Sequence, residues 1–389
     1  MRAPTGAAIT DLGDPLGFPV DLPAGRGVQR GADDVEVIRV EARQLVGHQK
    51  EAMVVDGDGV AWRLSSDEGS YLDGTDLAPF PLGFFSAGLV SDLHGTLERL
   101  ARARGLMVSQ VRLRLSTHYW LAGSFRSGSA EGHAETPDIR IDVTSPEALP
   151  DLQQLVRDAV ATAPGLALLR RPMAEGTFAL HLNGRRRPVE DVPESPVVDV
   201  RDPLRSHGSP PRPGRATARH DVIEKTDRAE RGAPQTLPVT ESGRRTFSVE
   251  GEGVLAADGL IECETWPVAP GASHFVLRSD ESGTDRAPSG LALAAAGIAF
   301  CYMTQLARFI HGMGLPVRNA RLVQFLPVSG TADAPGPIDT HLFLDGAAPE
   351  DAHRRLISVA ARTCYLHATA RAALEPRIEL QVRGGPVGP

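Results

Sequence analysis

The sequence predicts an α+β fold in which one unit, an antiparallel sheet packed with two main helices, occurs twice along the chain. Three observations lead to this prediction. Short motifs recur in the same order in both halves of the chain. Each half has the order strands, helix, strands, helix, strand, and turn residues separate these elements. The two halves are therefore expected to have the same fold.

The repeated motifs indicate a tandem duplication. Residues 74–79 (GTDLAP) recur as residues 283–288 (GTDRAP), and the Ser-Asp-Glu sequence at 66–68 recurs at 279–281. The first of these offsets then pairs Gly88 with Gly297 and Arg99 with Arg308. Chance can produce one short match, but several matches in one order and nearly one register are improbable, so the halves are predicted to share a fold.

Two polar segments separate the units. Residues 1–34 are rich in Gly, Pro and Asp and have no apolar period, which predicts a flexible N-terminal arm. Residues 184–243 have a similar composition, which predicts a linker. The predicted domains are therefore residues 35–183 and residues 244–383.

The elements are clearest in the second half. Its predicted strands are 246–250, 260–266, 274–277, 320–326, 340–344 and 377–382. A first helix is predicted from Leu291 to Gly312, where glycines provide a stop signal. A second helix is predicted to begin at Pro349 and to run towards Leu374.

Composition excludes several classes of protein. The net charge of −8 argues against a nucleic-acid or anionic-membrane partner, and neither an apolar run long enough to span a bilayer nor a secretory signal is present. Three cysteines in 389 residues fit a reducing, cytoplasmic location. Nucleotide-binding and zinc motifs are lacking and the histidines are scattered, so we expect no cofactor and no metal. Lysine occurs only at Lys50 and Lys225, which we interpret as a coding bias.

Two cysteines form the candidate site. Cys301 lies on the first predicted helix of the second half and Cys364 on the second, whereas local offsets place Asp92 and Ala161 at these positions in the first half. A pair that is missing jointly from the sister unit is dispensable for the fold, which indicates a site rather than packing. Cys263 alternates with apolar residues in a predicted strand and is interpreted as a packed hydrophobe.

These features resemble the OsmC/Ohr family of thiol-dependent peroxidases. The resemblance rests on an Ala/Gly-rich helix with Gly297 four residues before Cys301, a Gly-Leu turn into a strand, and a second helix carrying Cys364. It covers about residues 244–383 and, without the cysteines, about residues 50–183. Family members are intertwined dimers, so the resemblance implies an intrachain pseudo-dimer with a degenerate first unit.

The resemblance also implies a mechanism. Cys301 would be the peroxidatic thiol, Cys364 the resolving thiol, an organic hydroperoxide the substrate, and a dithiol such as a dihydrolipoyl group the reductant. The family activates its thiol with an arginine that is held by a glutamate ten residues before the first cysteine. In this chain that position is Leu291, so the glutamate is missing.

Several side chains could still activate the thiol. Arg278 and Arg286 are the leading candidates, and Arg286 is specific to the second half because the sister loop has Leu77. Arg308 has a counterpart in the first half and is expected to be structural or at the surface, and Arg371 is interpreted in the same way. His367 lies one turn after Cys364 and is interpreted as a packed helix histidine.

The sequence thus favours a cytoplasmic, peroxiredoxin-like oxidoreductase that reduces organic hydroperoxides. Two alternatives stay open. The thiols could perform sulfur transfer or another nucleophilic step on a specialised metabolite, or the cleft between the units could bind an apolar ligand without catalysis. The role of Asp92 and the oligomeric state beyond the pseudo-dimer are left open by the sequence.

Overall fold

A computed structural model describes most of the chain. The described residues are 7–13, 15–21, 29–30, 35–56, 60–124, 129–173, 175–205, 222–229, 245–329, 336–347 and 349–384. Their helices are α1 (Ile9–Leu12), α2 (Pro81–Arg104), α3 (Leu149–Thr162), α4 (Pro164–Arg170), α5 (Gly290–Gly312), α6 (Glu350–Thr363) and α7 (Tyr365–Arg371). The two longest, α2 and α5, are the first main helix of each half.

Each of two sheets contains strands from both halves of the chain. The first sheet comprises β1 (Gly17–Asp21), β2 (Gln29–Arg30), β3 (Glu36–Gln44), β4 (Lys50–Asp56), β5 (Val60–Ser66), β9 (Thr177–Leu182), β10 (Arg185–Arg187), β15 (Val317–Val328) and β16 (Asp339–Gly346). The second comprises β6 (Ser109–Ala122), β7 (Glu131–Ala134), β8 (Asp138–Ser145), β11 (Ile223–Ala229), β12 (Arg245–Leu255), β13 (Ile261–Pro267), β14 (Ser273–Ser279) and β17 (Arg377–Gly384).

The order of strands is the same in the two sheets. The first sheet contains the order β5-β4-β3-β15-β16-β9, and the second contains the order β14-β13-β12-β6-β8-β17. Each half therefore contributes two central strands to the sheet whose other strands along this path come from the other half. All pairs along these paths are antiparallel except β16 with β9 and β17 with β8, which are parallel. The sheets are mixed, so the prediction of a purely antiparallel sheet is wrong at one pair in each.

The main core lies between the two sheets. Helices α2 and α5 pack against each other, α5 also contacts β3 and β4 of the first sheet, and α2 contacts β12 and β13 of the second. The largest cluster of buried apolar residues draws on both halves of the chain. α5 is the one helix of the described residues with the length and composition of a membrane span, and 94% of its most apolar window is buried inside the protein.

Two glycines allow α2 and α5 to approach closely. A Cβ atom on Gly297 of α5 would lie 2.7 Å from the backbone nitrogen of Phe85, and a Cβ atom on Gly88 of α2 would lie 2.6 Å from the backbone nitrogen of Ala294. Phe85 and Ala294 are related by the same sequence offset as the two glycines. The Ala/Gly-rich surface of α5 around Gly297 is therefore a contact surface.

Gly297→Ala is expected to lower the free energy of unfolding by about 1–3 kcal/mol, because the added methyl group meets backbone that no rotamer change can move. Urea denaturation measures the loss. Gly312→Ala is the matched control, since a Cβ atom there meets no atom within 4 Å. Equal stability of the two variants would show that the crossing is looser than the structure indicates.

The repeated loop has one hydrogen-bonding pattern in both halves. The hydroxyl of Thr75 donates to Asp67 (2.5 Å), and the hydroxyl of Thr284 donates to Asp280 (2.6 Å). The aspartate inside each Gly-Thr-Asp motif has a positive φ, 57° in the first half and 56° in the second. The recurrence found in the sequence is thus a recurrence of local structure.

The polar segments contain more regular structure than expected. Residues 17–21 of the predicted arm form β1, which pairs with β5, and residues 223–229 of the predicted linker form β11, which pairs with β14. The arginine triplet at 185–187 forms β10 beside β9. These strands extend the sheets, and backbone pairing at an edge requires no strong apolar pattern. Residues 1–6, 22–28, 206–221 and 230–244 of the two segments lie outside the described residues.

Candidate functional site

The second helix of each half is broken, and the break positions Cys364. α6 ends at Thr363 and α7 begins at Tyr365, while Cys364 between them has an extended backbone (φ −72°, ψ 116°). Ala163 occupies the same break between α3 and α4 (φ −64°, ψ 116°). The break therefore belongs to the fold rather than to the thiol. It corrects the expected correspondence: Cys364 matches Ala163 rather than Ala161, and His367 then matches Leu166.

The fold brings the two predicted thiols together. Cys301 and Cys364 are free thiols, both buried, and they lie close enough that each shifts the pKa of the other. Cys301 Sγ also accepts the backbone N–H of Leu366 in the first turn of α7. On its other side, Cys364 Sγ lies 3.2 Å from Nδ1 of His367. The result is a continuous chain of contacts from Cys301 through Cys364 to His367.

The contacts distribute charge unequally over the pair. Burial raises the pKa of the Cys301 thiol well above its usual range, and the neighbouring Cys364 sulfur adds to that effect. Burial acts in the same direction on Cys364, but the hydrogen bond from Cys301 and the His367 imidazole outweigh it and hold the pKa of Cys364 well below its usual range. The directions of the two shifts make Cys364, next to His367, the more readily ionised thiol of the pair.

Cys301 lines a pocket, which we call the thiol pocket, with an empty volume of about 370 Å³ including its mouth. Its apolar wall is formed by Leu72, Phe80, Pro81, Leu82, Phe247 and Tyr365. Its polar side is formed by Glu68, Thr304, Gln305 and Arg308. Both halves of the chain contribute to it. An apolar pocket with a few polar groups beside a nucleophile is the usual form of a small-molecule site.

A buried ion pair from the first half faces this pocket. Lys50 on β4 and Glu68 are both buried, with Nζ 3.7 Å from Oε1. Lys50 donates to the carbonyl of His48 (2.8 Å), and the hydroxyl of Thr304, three residues after Cys301, donates to Glu68 (2.6 Å). Burial lowers the pKa of Lys50 and raises that of Glu68, and the charges of Lys50 and Cys301 act on each other.

Lys50 has an apolar sister residue. Lys50 pairs with Ser66 in the first sheet, and Ile261 pairs with Ser279 in the second, so Ile261 occupies the matching position. The cation is thus present only on the side of the thiols. Sequence reasoning missed it by interpreting the rare lysines as a coding bias. A lysine within an apolar strand of an arginine-rich chain was the available signal.

The predicted arginines lie elsewhere. Arg278 bonds to Glu262 (2.8 Å) and Glu224 (3.3 Å), and Arg286 bonds to the carbonyl of Asp258 (2.8 Å), and neither of them lines the thiol pocket. Arg286 instead ties its loop to a neighbouring turn, which corrects the expectation that it serves the thiol. Arg308 does line the pocket, contrary to its predicted structural or surface role, and donates to Gln305 (3.0 Å).

Asp92 occupies the position that Cys301 has in the other half. Its Oδ2 accepts the backbone N–H of Gly165 (2.7 Å) in the first turn of α4, as Cys301 accepts that of Leu366 in the first turn of α7. The side chain is buried, and burial raises its pKa to about 7. Asp92 is therefore a buried acid in contact with a helix, a question that the sequence had left open.

The free energy of unfolding should decrease as pH rises, because Asp92 is a buried acid. Its pKa is about 7 in the fold, against an ordinary value of 3.8 for an aspartate, so between these pH values the folded chain holds the extra proton. The free energy of unfolding then decreases as pH rises through this window. Asp92→Asn keeps the acceptor and should raise the free energy of unfolding at pH 8 by up to about 4 kcal/mol. Urea denaturation across pH tests this, with the exposed Asp227→Asn as control, and an unchanged pH dependence would contradict it.

Cys263 has different surroundings from the other two cysteines. It lies in β13, opposite Gly253 of β12, and is fully buried. Burial raises the pKa of its thiol far above the usual range. Such a thiol stays protonated and behaves as a small hydrophobe, as expected from the alternation of the strand.

The comparisons with known proteins give a likeness among solved structures. No protein-family model matches the chain, and no curated protein matches it. Among solved structures, the chain is similar to an OsmC-like hydroperoxide resistance protein from Jannaschia sp. CCS1. The identity is 21%, the match covers 33% of this chain and 82% of that chain, and the TM-score is 0.21.

Proposed function

We propose that this protein is a thiol-dependent oxidoreductase that reduces organic hydroperoxides with Cys301 and Cys364. The observation that carries the proposal is the proximity of two thiols, Cys301 on α5 and Cys364 between α6 and α7, the first of which lines a pocket with an apolar wall. Two thiols in contact can supply two electrons and form one disulfide. The apolar wall suits the hydrocarbon part of such a substrate.

The chain is further proposed to be a fused pair of OsmC-like units, the first of which has lost its thiols. Three features support this: the equal strand orders of the two sheets, the reciprocal glycine contacts of α2 and α5, and the matching breaks at Ala163 and Cys364. A fourth is an exchange of glutamates. Glu68 of the first half reaches α5, and Glu281 of the second half contacts Gly95 of α2.

The proposed reaction begins at Cys301. The Cys301 sulfur attacks the terminal peroxide oxygen and its proton passes to the Cys364 thiolate. The O–O bond breaks, and the alkoxide takes that proton from Cys364 and leaves as an alcohol, so that Cys364 is a thiolate again. Cys301 is then a sulfenic acid. The Cys364 sulfur attacks it, hydroxide leaves and becomes water, and the two sulfurs form a disulfide. A dithiol reductant returns two electrons and two protons through a mixed disulfide.

The surroundings of the pair fit these steps. The proximity of the two thiols supports a transfer of the Cys301 proton to Cys364. Lys50 supplies positive charge on the Cys301 side, in place of the arginine that the family resemblance had implied. An electrostatic interaction in a site that excludes water is stronger than the same interaction in solution.

The test is a titration with cumene hydroperoxide, followed by counting free thiols and measuring intact mass. We expect one equivalent to remove two thiols from the wild type and from Cys263→Ala, and none from Cys301→Ser. Slow and equal loss of all three thiols would contradict the proposal and favour a passive ligand-binding protein.

A second candidate is a thiol enzyme that acts on another electrophile. It is favoured by Leu291, which stands where the resemblance implied a glutamate, and by the Lys50–Glu68 pair beside the thiol. Rapid, selective alkylation of Cys301 without hydroperoxide turnover would support this candidate over the first.

A further inference from the structure

His367 connects the thiol pair to the opposite side of the protein. Its Nδ1 contacts Cys364, as described above, while its Nε2 is buried and has no hydrogen-bond partner among the described residues. The ring packs against Phe178 and Tyr302, with centroids 6.0 Å and 5.3 Å away. A buried polar atom without a partner is uncommon and calls for a water or a ligand.

A second cleft lies beside His367. We call it the histidine cleft, and its empty volume is about 430 Å³ including the mouth. Apolar residues such as Phe178, Ile338 and Ala370 line it, and its charged residues are Glu175, Asp191, Arg362 and Arg371. It shares no described lining residue with the thiol pocket. The chain from Cys301 to His367 therefore runs between two separate openings.

We propose that His367 is the proton-transfer residue of the thiol pair and that the histidine cleft is its route to solvent. In the resting state the imidazolium faces the Cys364 thiolate. When Cys364 attacks the sulfenic acid of Cys301, the anion is consumed and hydroxide leaves. His367 then releases its Nε2 proton into the cleft, which balances the hydroxide as water. Reduction by a dithiol returns two protons, one to Cys301 and one to His367.

Among the described groups around His367, we assign this proton to the imidazole and the two thiols rather than to the tyrosines or the charged side chains of the cleft. Tyr302 on α5 and Tyr119 on β6 face the pair, and burial raises the pKa of both phenols, so they stay neutral near pH 7. Glu175, Asp191, Arg362 and Arg371 line the cleft, and their formal charges cancel. In the first half, Ala163 occupies the position of Cys364, and Leu166, three residues later, occupies the position of His367. The imidazole and the thiol thus occur together in one half and are both missing from the other.

The first test measures thiol reactivity against pH in wild type and His367→Ala. Alkylation of the pair by monobromobimane, located on Cys301 or Cys364 by mass spectrometry, together with the ultraviolet absorbance of thiolate, reports ionisation of the pair without hydroperoxide. Without the imidazole we expect alkylation near pH 6.5 to fall about a hundredfold, because an unassisted thiol is about 1% ionised there. His353→Ala is the matched control, since His353 is a buried helix histidine of the same half that bonds to the carbonyl of Pro349.

The second test uses free imidazole as the probe. Imidazole in solution should restore alkylation of His367→Ala with saturation, because the cleft leads to the vacated position. The added variant Ala370→Leu, which fills the cleft, should abolish the rescue. An unchanged pH profile in His367→Ala would overturn the role of His367, and absent rescue, or equal rescue with the cleft filled, would overturn the route.

A failure of this inference can be told apart from a misfolded variant and from a failure of the proposed function. If His367→Ala does not fold, His367→Asn retains a donor near the Nδ1 position without the ability to transfer a proton. It should then preserve the fold but lose the low-pH reactivity, and retained reactivity would contradict the inference. The inference rests on the proposed dithiol chemistry. However, a normal alkylation profile without peroxide turnover would remove only the proposed function.

Discussion

Cys364→Ser is expected to lower hydroperoxide turnover by about 10²- to 10⁴-fold, because this residue both receives the proton of Cys301 and resolves its sulfenic acid. The variant removes the more readily ionised sulfur of the pair. Serine keeps the size and a hydrogen-bonding group, but its hydroxyl does not ionise near neutral pH and cannot form the disulfide. Cys301 should therefore react slowly and then stop as a sulfenic acid.

The measurement has two parts. Steady-state turnover with dithiothreitol as reductant gives the loss, and dimedone trapping followed by mass spectrometry should locate one adduct, on Cys301. Cys263→Ala is the control, since its buried thiol lies in β13 away from the pair. Turnover that survives in Cys364→Ser at the wild-type rate would show that the contact between the thiols is not part of the chemistry.

Lys50→Met is expected to lower the free energy of unfolding by about 3–5 kcal/mol, because it leaves the buried Glu68 without its cation. Lys50 and Glu68 are 2% and 5% exposed. Adding Glu68→Gln should recover much of the loss, since the double variant buries no unpaired charge. The interaction between the two changes is the quantity that a double-mutant cycle measures.

The other lysine provides the control. Lys225 lies 2.9 Å from Asp76, but its side chain is 40% exposed. Lys225→Met should therefore change stability by at most about 1 kcal/mol. Equal effects at the two lysines would show that Lys50 is better solvated than the structure indicates.

The local pattern of apolar and turn residues was sufficient to predict the first helix and the six strands of the second half. The helix predicted at 291–312 is α5 (Gly290–Gly312), and the six predicted strands lie within β12–β17 or overlap them closely. Apolar periodicity and turn residues act over a few positions, so they are readable without a fold. The second helix was predicted as continuous, but it breaks at Cys364, where the backbone extends while the apolar pattern continues.

Only part of the candidate site could be predicted from the sequence. The pair Cys301 and Cys364 could be singled out because the repeat provides an internal comparison, and the fold does bring the two together. Arg278 and Arg286 were chosen by position in the chain, but nearby carboxylates and a carbonyl hold them elsewhere. Arg308 and Lys50 were set aside, although one lines the pocket and the other is buried beside it.

By itself the sequence indicated an α+β protein with recurring motifs in its two halves, and it singled out Cys301 and Cys364 in the second half, because both are local features of the chain. Only the tertiary structure decided which strands exchange between the halves, that β16 and β17 pair in parallel, and that Lys50 and Glu68 face a thiol more than two hundred positions away. Those contacts join segments that are distant in the sequence. The free energy that selects them depends on how both halves pack into one shared core.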